Sequence, residues 1–205
     1  MIYYSIDIET TGLDSENHKI LSIGAIMEDT NNILPYEECP KFNAIMIPEN
    51  TDLMTGGITG ILMNMSILKH IEEYTKLEYT EKKKYENESG FSFYHENEIA
   101  KRFYDFVAKT CPLQDIQKKH IVINVAGKNF GVFDKLFLEK LPNFKKYIKF
   151  RQRIIDPSTL YCDFIYDTSL PNLTKCKERA KIDGIVTHNA LEDAWDVIQL
   201  LRKKY

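Results

Sequence analysis

Three apolar, strand-like runs follow one another within residues 1–47 with no helical pattern between them, and this fixes how the fold must begin. Residues 2–8 alternate Ile6 and Ile8 with Ser5, Asp7 and Glu9, so one side of this stretch is apolar and the other acidic. It ends in a turn at Thr10-Thr11-Gly12. Residues 20–27 and 43–47 form the second and third runs, joined by Asp29-Thr30-Asn31-Asn32 and a segment holding Pro35 and Pro40. Connections this short leave no room for a crossover helix, so the three strands are expected to form an antiparallel meander.

Further along, residues 70–98 are rich in Lys, Glu, Tyr and Asn and poor in aliphatic residues, with Glu81-Lys82-Lys83-Lys84 at their centre. They read as a charged insertion over the surface, partly helical or mobile. Helical spacing appears at Ile99, Phe103, Phe106 and Val107 and should stop before Pro112. Residues 121–125 are short and almost wholly apolar, as a strand covered on both faces would be. Phe133, Leu136, Phe137 and Leu141 make a helix stripe closed by Pro142, residues 154–156 suit a fifth short strand, and Pro157 is placed to open a helix. Asn189 can cap a last helix whose apolar face is Leu191, Ala194, Ile198 and Leu201, with Arg202, Lys203 and Lys204 at its C-terminus. The order βββαβαβαα predicts an α/β fold: a mixed five-stranded sheet, three antiparallel strands then parallel ones, flanked by helices, in one domain over residues 1–205.

Composition narrows the function classes. With 43% apolar residues in a chain of 205, one sizeable core can be buried. No apolar run approaches the roughly 18 residues that span a bilayer, and the N-terminal residues lack the pattern of a secretion signal, so a soluble, intracellular (cytoplasmic) protein is expected, with no membrane partner. Cys39, Cys111, Cys162 and Cys176 are scattered without metal-finger spacing and read as thiols in a reducing compartment. A formal charge of −3 argues against a broad grip on duplex nucleic acid, which requires many Lys and Arg on phosphates. It leaves room for a narrow site in which the charge of about −4 on four carboxylates is offset by about +4 on two divalent cations.

Asp7 and Glu9, at i and i+2 on a strand, share one face with Cα atoms about 6.5 to 7 Å apart. That separation suits two divalent cations about 3.5 to 4 Å apart, although a solvated strand face carries the same pattern. Asp134 starts a helix after a buried strand and can project back toward the first strand; it equally suits the positive end of the helix dipole, as does Asp193 in the first turn of the last helix. His188 stands one residue before Asn189 and five before Asp193, just outside the helix, from where its side chain can swing toward Asp193. An imidazole with an ordinary pKa near 6.5 can take a proton from water at neutral pH. The other histidines, His18, His70, His95 and His120, lie in polar stretches without an acidic residue at a telling spacing.

The strings D-I-E-T-T-G-L at residues 7–13, G-K-N-F-G-V-F-D-K-L-F-L at 127–138 and H-N-A-L-E-D-A at 188–194, in this order, resemble the DEDDh 3′-to-5′ exonucleases, which have a ribonuclease-H-like fold. The resemblance spans nearly the whole chain. It implies that Asp7, Glu9, Asp134 and Asp193 hold two divalent metal ions, Mg2+ or Mn2+, and that His188 is the general base in the release of nucleoside 5′-monophosphates. Thr10, Thr11, Gly12 and Leu13 would seat the terminal nucleotide, with Leu13 against its base, a residue that simple core packing would also account for. Asn129 and the stretches Leu141-Pro142-Asn143-Phe144-Lys145-Lys146-Tyr147 and Asp156-Pro157-Ser158-Thr159-Leu160 are similar to oligoribonucleases, which act on very short RNA as homodimers. Ile47-Pro48 followed by Gly57-Ile58-Thr59 is closer to proofreading-type DNA exonucleases, with Gly56 where those have His.

The expected partners are therefore 3′ ends of single-stranded RNA or DNA or short oligonucleotides, and a second copy of the chain. Lys145, Lys146, Lys149, Arg151 and Arg153 could track phosphates and Tyr147 could stack on a base; a solvated surface and core packing explain the same residues. The alternatives are a non-catalytic nucleic-acid binding module and a polymerase-associated proofreading subunit.

Overall fold

The computed structural model of the chain describes residues 1–48, 57–111, 120–184 and 186–205. Strands β1 (Ile2–Thr10), β2 (Ile20–Asp29) and β3 (Lys41–Ile47) form the expected antiparallel meander, in a register that sets Asp7 opposite Gly24 and Glu9 opposite Ser22. Alternation gives β1 two faces. Tyr4, Ile6 and Ile8 enter the larger apolar core, whereas Tyr3 enters the smaller core on the other side, the side of Ser5, Asp7 and Glu9.

Two short strands complete the sheet, each parallel to its neighbour. They are β4 (Ser92–His95) beside β3 and, after β5 (Ile121–Ile123), β6 (Val125–Ala126) beside β1, giving the order β4-β3-β2-β1-β6. The mixed five-stranded sheet flanked by helices is thus present, but its fifth strand is not residues 154–156. Ile155 makes one bridge to Ala126, after which Asp156 leaves the sheet to cap the 3₁₀ turn Pro157–Leu160 through Ser158 N, at 2.9 Å. The helix expected to open at Pro157 is only this turn. The run 121–125 also divides: β5 pairs with β7 (Ile148–Phe150) in a separate two-stranded sheet, and Asn124 at the break donates from Nδ2 to Ile2 O, at 2.8 Å.

The fifth strand comes from within the segment read as a charged insertion. Helix α1 (Gly57–Met63) is followed by α2 (Met65–Lys76) and α3 (Tyr79–Ser89), then by β4. Ile67, Ile71 and Tyr74 fall on one face of α2 and are buried with Leu21, Ile45 and Phe93. Tyr74 lies flat on Phe93 with ring centroids 3.9 Å apart, so aromatic rings supply the apolar surface that the scarcity of aliphatic residues had seemed to deny this segment. Helix α3 buries none of its side chains; a capping box between Glu78 and Glu81 opens it, and Gly90 closes it at a φ of +74°.

Each face of the sheet has its own cover. On one side α4 (Glu96–Thr110) buries Ile99, Ala100, Phe103 and Val107, with Phe103 edge-on to Phe42, and α5 (Asp134–Leu138) and α6 (Phe144–Tyr147) extend that core. Pro112, expected to end α4, lies outside the described residues. The stripe expected on α5 is shifted: Phe137, Leu138 and Leu141 are buried with Asp134 while Leu136 faces outward, so the buried face is turned by one residue, to the side on which Asp134 meets β1. On the other side lie α7 (Leu173–Ala180) and α8 (Ala190–Arg202). All four expected apolar residues of α8 are buried, joined by Val197. Burial of each of the larger ones is worth about 1.5–3 kcal/mol. Asn189 caps α8 as expected, accepting from Leu191 N and Glu192 N, and Arg202 closes its far end on the buried Glu28 at 2.6 and 2.7 Å. No helix among the described residues is long and apolar enough to cross a membrane.

Candidate active site

The acidic face of β1 meets the start of α8 because β2 carries a glycine there. A Cβ built on Gly24 would fall 2.2–2.4 Å from the backbone of Ala190 and Leu191, so only glycine admits the helix at this depth. Ser5 Oγ donates to Ala194 O at 2.7 Å and fixes the helix along β1. Asp193, in the first turn between these two contacts, is thereby buried next to the strand that bears Asp7 and Glu9.

Asp134 arrives from the opposite edge. Strand β6 ends at Ala126, paired with Ser5, so β1 runs on beyond its parallel neighbour. The free N–H of Ile8 donates to Asp134 Oδ1 at 3.1 Å, which supplies the missing ladder bond and places a buried carboxylate beside Asp7. Asn129 builds the approach: at a φ of +57° its carbonyl accepts from Val132 N and Phe133 N, while its own N–H donates to Asp156 Oδ2.

His188 is exposed and left-handed, with a φ of +55°, immediately before the extended Asn189 cap. One ligand atom each from Glu9, His188 and Asp193 can be chosen so that all lie within 4.8 Å of one another. The structure thus gathers the four acids and the histidine singled out from the sequence.

Crowding them has an electrostatic consequence. Burial first, then the charges of Asp134, Asp193 and Glu9, push the Asp7 carboxyl well above the carboxylate range. Burial followed by Asp193 and Asp134 raises Glu9 to about 8. Burial raises Asp134 to about 7 against the pull of the Ile8 N–H, and raises Asp193 to about 7 with Asp196 adding to it and Lys177 opposing. Asp193 Oδ1 is buried with no hydrogen-bond partner, and an orphaned carboxylate oxygen among three other acids is what a divalent cation would satisfy. The residues present fit such a group.

The other predicted residues divide. Thr10 Oγ1 donates to Gly12 O at 2.7 Å and Thr11 Oγ1 accepts from Lys19 N at 3.0 Å, so both threonines shape the turn after β1. Leu13 is 86% exposed, which excludes core packing as its role. Gly56 and the loop before it lie outside the described residues. Tyr147 is not at the carboxylates: it is half-buried against Tyr104 of α4, on the far side of the sheet from α8. Lys145, Lys146, Lys149, Arg151 and Arg153 are exposed around β7, beside the second sheet.

Some residues at the site escaped the sequence reading. Asn64, buried between α1 and α2, donates from Nδ2 to Thr10 O at 3.1 Å and to Gly60 O at 2.9 Å, holding the end of β1. Lys177 and Asp196 form a buried ion pair at 2.5 Å, and Lys177 lines a cavity of about 620 Å3 together with Asp7, Lys128, His188 and Asp193. Asp196 lies three residues after Asp193, so the helical period carried a signal for it; Lys177 sits in a run of charges that reads as solvated.

No protein-family model matches the chain. The oligoribonuclease of Buchnera aphidicola subsp. Schizaphis graminum (strain Sg) is 25% identical to it over 194 residues, 94% of this chain and 85% of that protein. E. coli exonuclease I in complex with a dT13 oligonucleotide superposes with a TM-score of 0.57 at 14% identity, over 99% of this chain and 40% of that chain. The zinc-bound form of the exonuclease I complex with single-stranded DNA gives 0.56 at 15% identity, over 99% and 40%. The chain spans 40% of the length of exonuclease I, and the likeness carries the ribonuclease-H-like fold with its mixed five-stranded sheet.

Proposed function

We propose, for a chain with the fold of the 3′-to-5′ exonucleases, that it is itself a metal-dependent 3′-to-5′ exonuclease, releasing nucleoside 5′-monophosphates from single-stranded nucleic acid. The observation that supports this reading is the convergence of Asp7, Glu9, Asp134, Asp193 and His188 at the end of β1. Four carboxylates this close do not all ionise at neutral pH unless cations accompany them.

Asp7, Glu9, Asp134 and Asp193 would hold two divalent cations, Mg2+ or Mn2+, whose chemistry at such a site is to screen phosphate charge and favour ionisation of water. His188, at the exposed rim beside Glu9 and Asp193, removes the proton from the attacking water. Oxygen attacks phosphorus in line, the bond from phosphorus to the 3′ oxygen of the preceding nucleotide breaks, and that oxygen takes a proton from solvent. The terminal nucleotide leaves as its 5′-monophosphate. Leu13, free of packing, is available to the terminal base, and the turn held by Thr10, Thr11 and Gly12 seats the sugar.

The oligoribonuclease likeness favours short RNA, whereas the exonuclease I structures hold DNA strands, so RNA and DNA belong in one assay. With Mn2+, 5′-labelled single strands should shorten from the 3′ end and yield 5′-monophosphates, and Asp7→Asn and Asp193→Asn should each abolish the ladder. Full activity in both variants would overturn the assignment.

A further inference from the structure

Between the 3₁₀ turn and α7 the chain holds Phe164, Ile165 and Tyr166 out into solvent at 82%, 84% and 82% exposure. Three consecutive large apolar side chains so exposed are unusual on a surface that contacts nothing. The loop that carries them is built rather than slack. Asp163 Oδ1 accepts from Ile165 N at 3.0 Å and from Tyr166 N at 3.4 Å, and Asp167 N returns to Asp163 O at 2.8 Å. The Asp167 carboxylate accepts from Asp163 N and from Lys175 and Arg179 of α7, and these partners, Arg179 first, hold it well below the ordinary carboxylate range. A finger stapled at its base in this way has little ordering entropy left to lose on binding.

What lies beneath the finger gives it a direction. A hollow of about 340 Å3 is lined by Tyr166, Leu170 and Pro171 together with the polar side chains of Thr168, Ser169, Asn172 and Lys175, the last of these paired with Asp167 at its wall. Asn172, the N-cap of α7, also lines the cavity that holds Asp7, His188 and Asp193, so the two spaces adjoin at the head of this helix. A track thus leads from the carboxylates past Asn172 and the hollow beyond it to an aromatic tip.

We infer that this track is an upstream subsite for the single-stranded substrate, with bases stacking on Tyr166 and Phe164 and the sugar-phosphate chain lying against Thr168, Ser169 and Lys175. The inference rests on the exonuclease reading and deepens it. Aromatic faces alternating with polar backbone contacts are how single strands are held without regard to sequence. A hollow whose accessible surface is mainly polar, with hydroxyl, amide and ammonium groups among its lining, suits that chain better than the apolar face of a second protein.

The test compares a 5′-labelled dinucleotide with a 12-nucleotide single strand, using wild type, the Phe164→Ala/Tyr166→Ala double variant and, as a control at another exposed apolar position, Ile33→Ala. The ratio of kcat/KM for the 12-mer to that for the dinucleotide should fall about 10- to 100-fold in the double variant, the usual consequence of losing base stacking, and stay at the wild-type value in Ile33→Ala. An unchanged ratio overturns the subsite. Sedimentation provides an independent readout: if wild type is a dimer and the double variant a monomer, the finger binds another copy of the chain and the proposal fails. Should wild type cleave neither substrate, the exonuclease reading fails; fluorescence anisotropy of the 12-mer then decides the subsite separately, since binding lost in the double variant supports it and binding retained overturns it.

Discussion

Asp7 and Gly24 face each other across the β1–β2 ladder, and the missing side chain at Gly24 is the space into which the first turn of α8 descends. The glycine therefore sets the depth of Asp193 against the strand acids. A methyl group at Gly24 would meet backbone, which cannot rotate away. Gly24→Ala is expected to cost about 1–3 kcal/mol or more in urea unfolding and to weaken Mn2+ binding by calorimetry, because α8 must move outward. Wild-type Mn2+ affinity in a folded Gly24→Ala protein would show that the helix position does not control the site.

The raised carboxyls predict a pH dependence of stability of unusual sign. Asp134 and Asp193 at about 7 and Glu9 at about 8 bind protons in the folded chain that they have already lost when unfolded. Their contribution is therefore fully present below the ordinary carboxylate range and is lost as pH rises through about 7 to 8. In EDTA the melting temperature should fall between pH 5 and pH 8, Asp7→Asn should flatten the fall, and Mn2+ should raise the melting temperature more at pH 8 than at pH 5. A metal-free protein whose stability is flat over this window, in wild type and variant alike, would contradict the crowding.

His188 combines exposure with a left-handed backbone, so side-chain chemistry and conformation can be separated. Asn tolerates that conformation and β-branched residues do not. His188→Asn should melt like wild type while kcat falls about 10²- to 10⁴-fold, the worth of a general base, and His188→Val should lose stability as well. Retention of kcat in His188→Asn would remove the histidine from the proposed chemistry.

The legible part of this protein is whatever local period and motif can carry. The meander, the apolar face of α8 and its Asn189 cap, and the five residues that meet at the site all follow from short stretches of sequence. Strand β4 does not, because its apolar content is aromatic and the charges of α3 beside it dominate any window that covers both. Residues 154–156 have strand-forming side chains but are diverted when the carboxylate of Asp156 caps the next turn. Gly24 and Asn64 escape for a different reason: each acts through contact with backbone distant in sequence, which leaves no periodic trace.

Lys177 and Asp196 form the buried ion pair at the wall of the carboxylate cavity, and two opposed effects set its worth. Burial pushes the Asp196 carboxyl up while the hydrogen bond and charge of Lys177 pull it down, and the net shift remains upward. Desolvation thus exceeds the attraction, as is common for such pairs, and removing one member strands the other. Lys177→Met alone is expected to cost about 3–5 kcal/mol in urea unfolding, with the buried Asp196 left uncompensated beside Asp193. Adding Asp196→Leu should recover most of that loss, because an apolar pair of similar volume carries no desolvation cost. In a double-mutant cycle the two substitutions should therefore couple strongly, by about 3 kcal/mol or more, since Asp196→Leu alone strands the buried Lys177 in the same way. Additive effects would mean that the ammonium and carboxylate are solvated in solution and do not act as a pair.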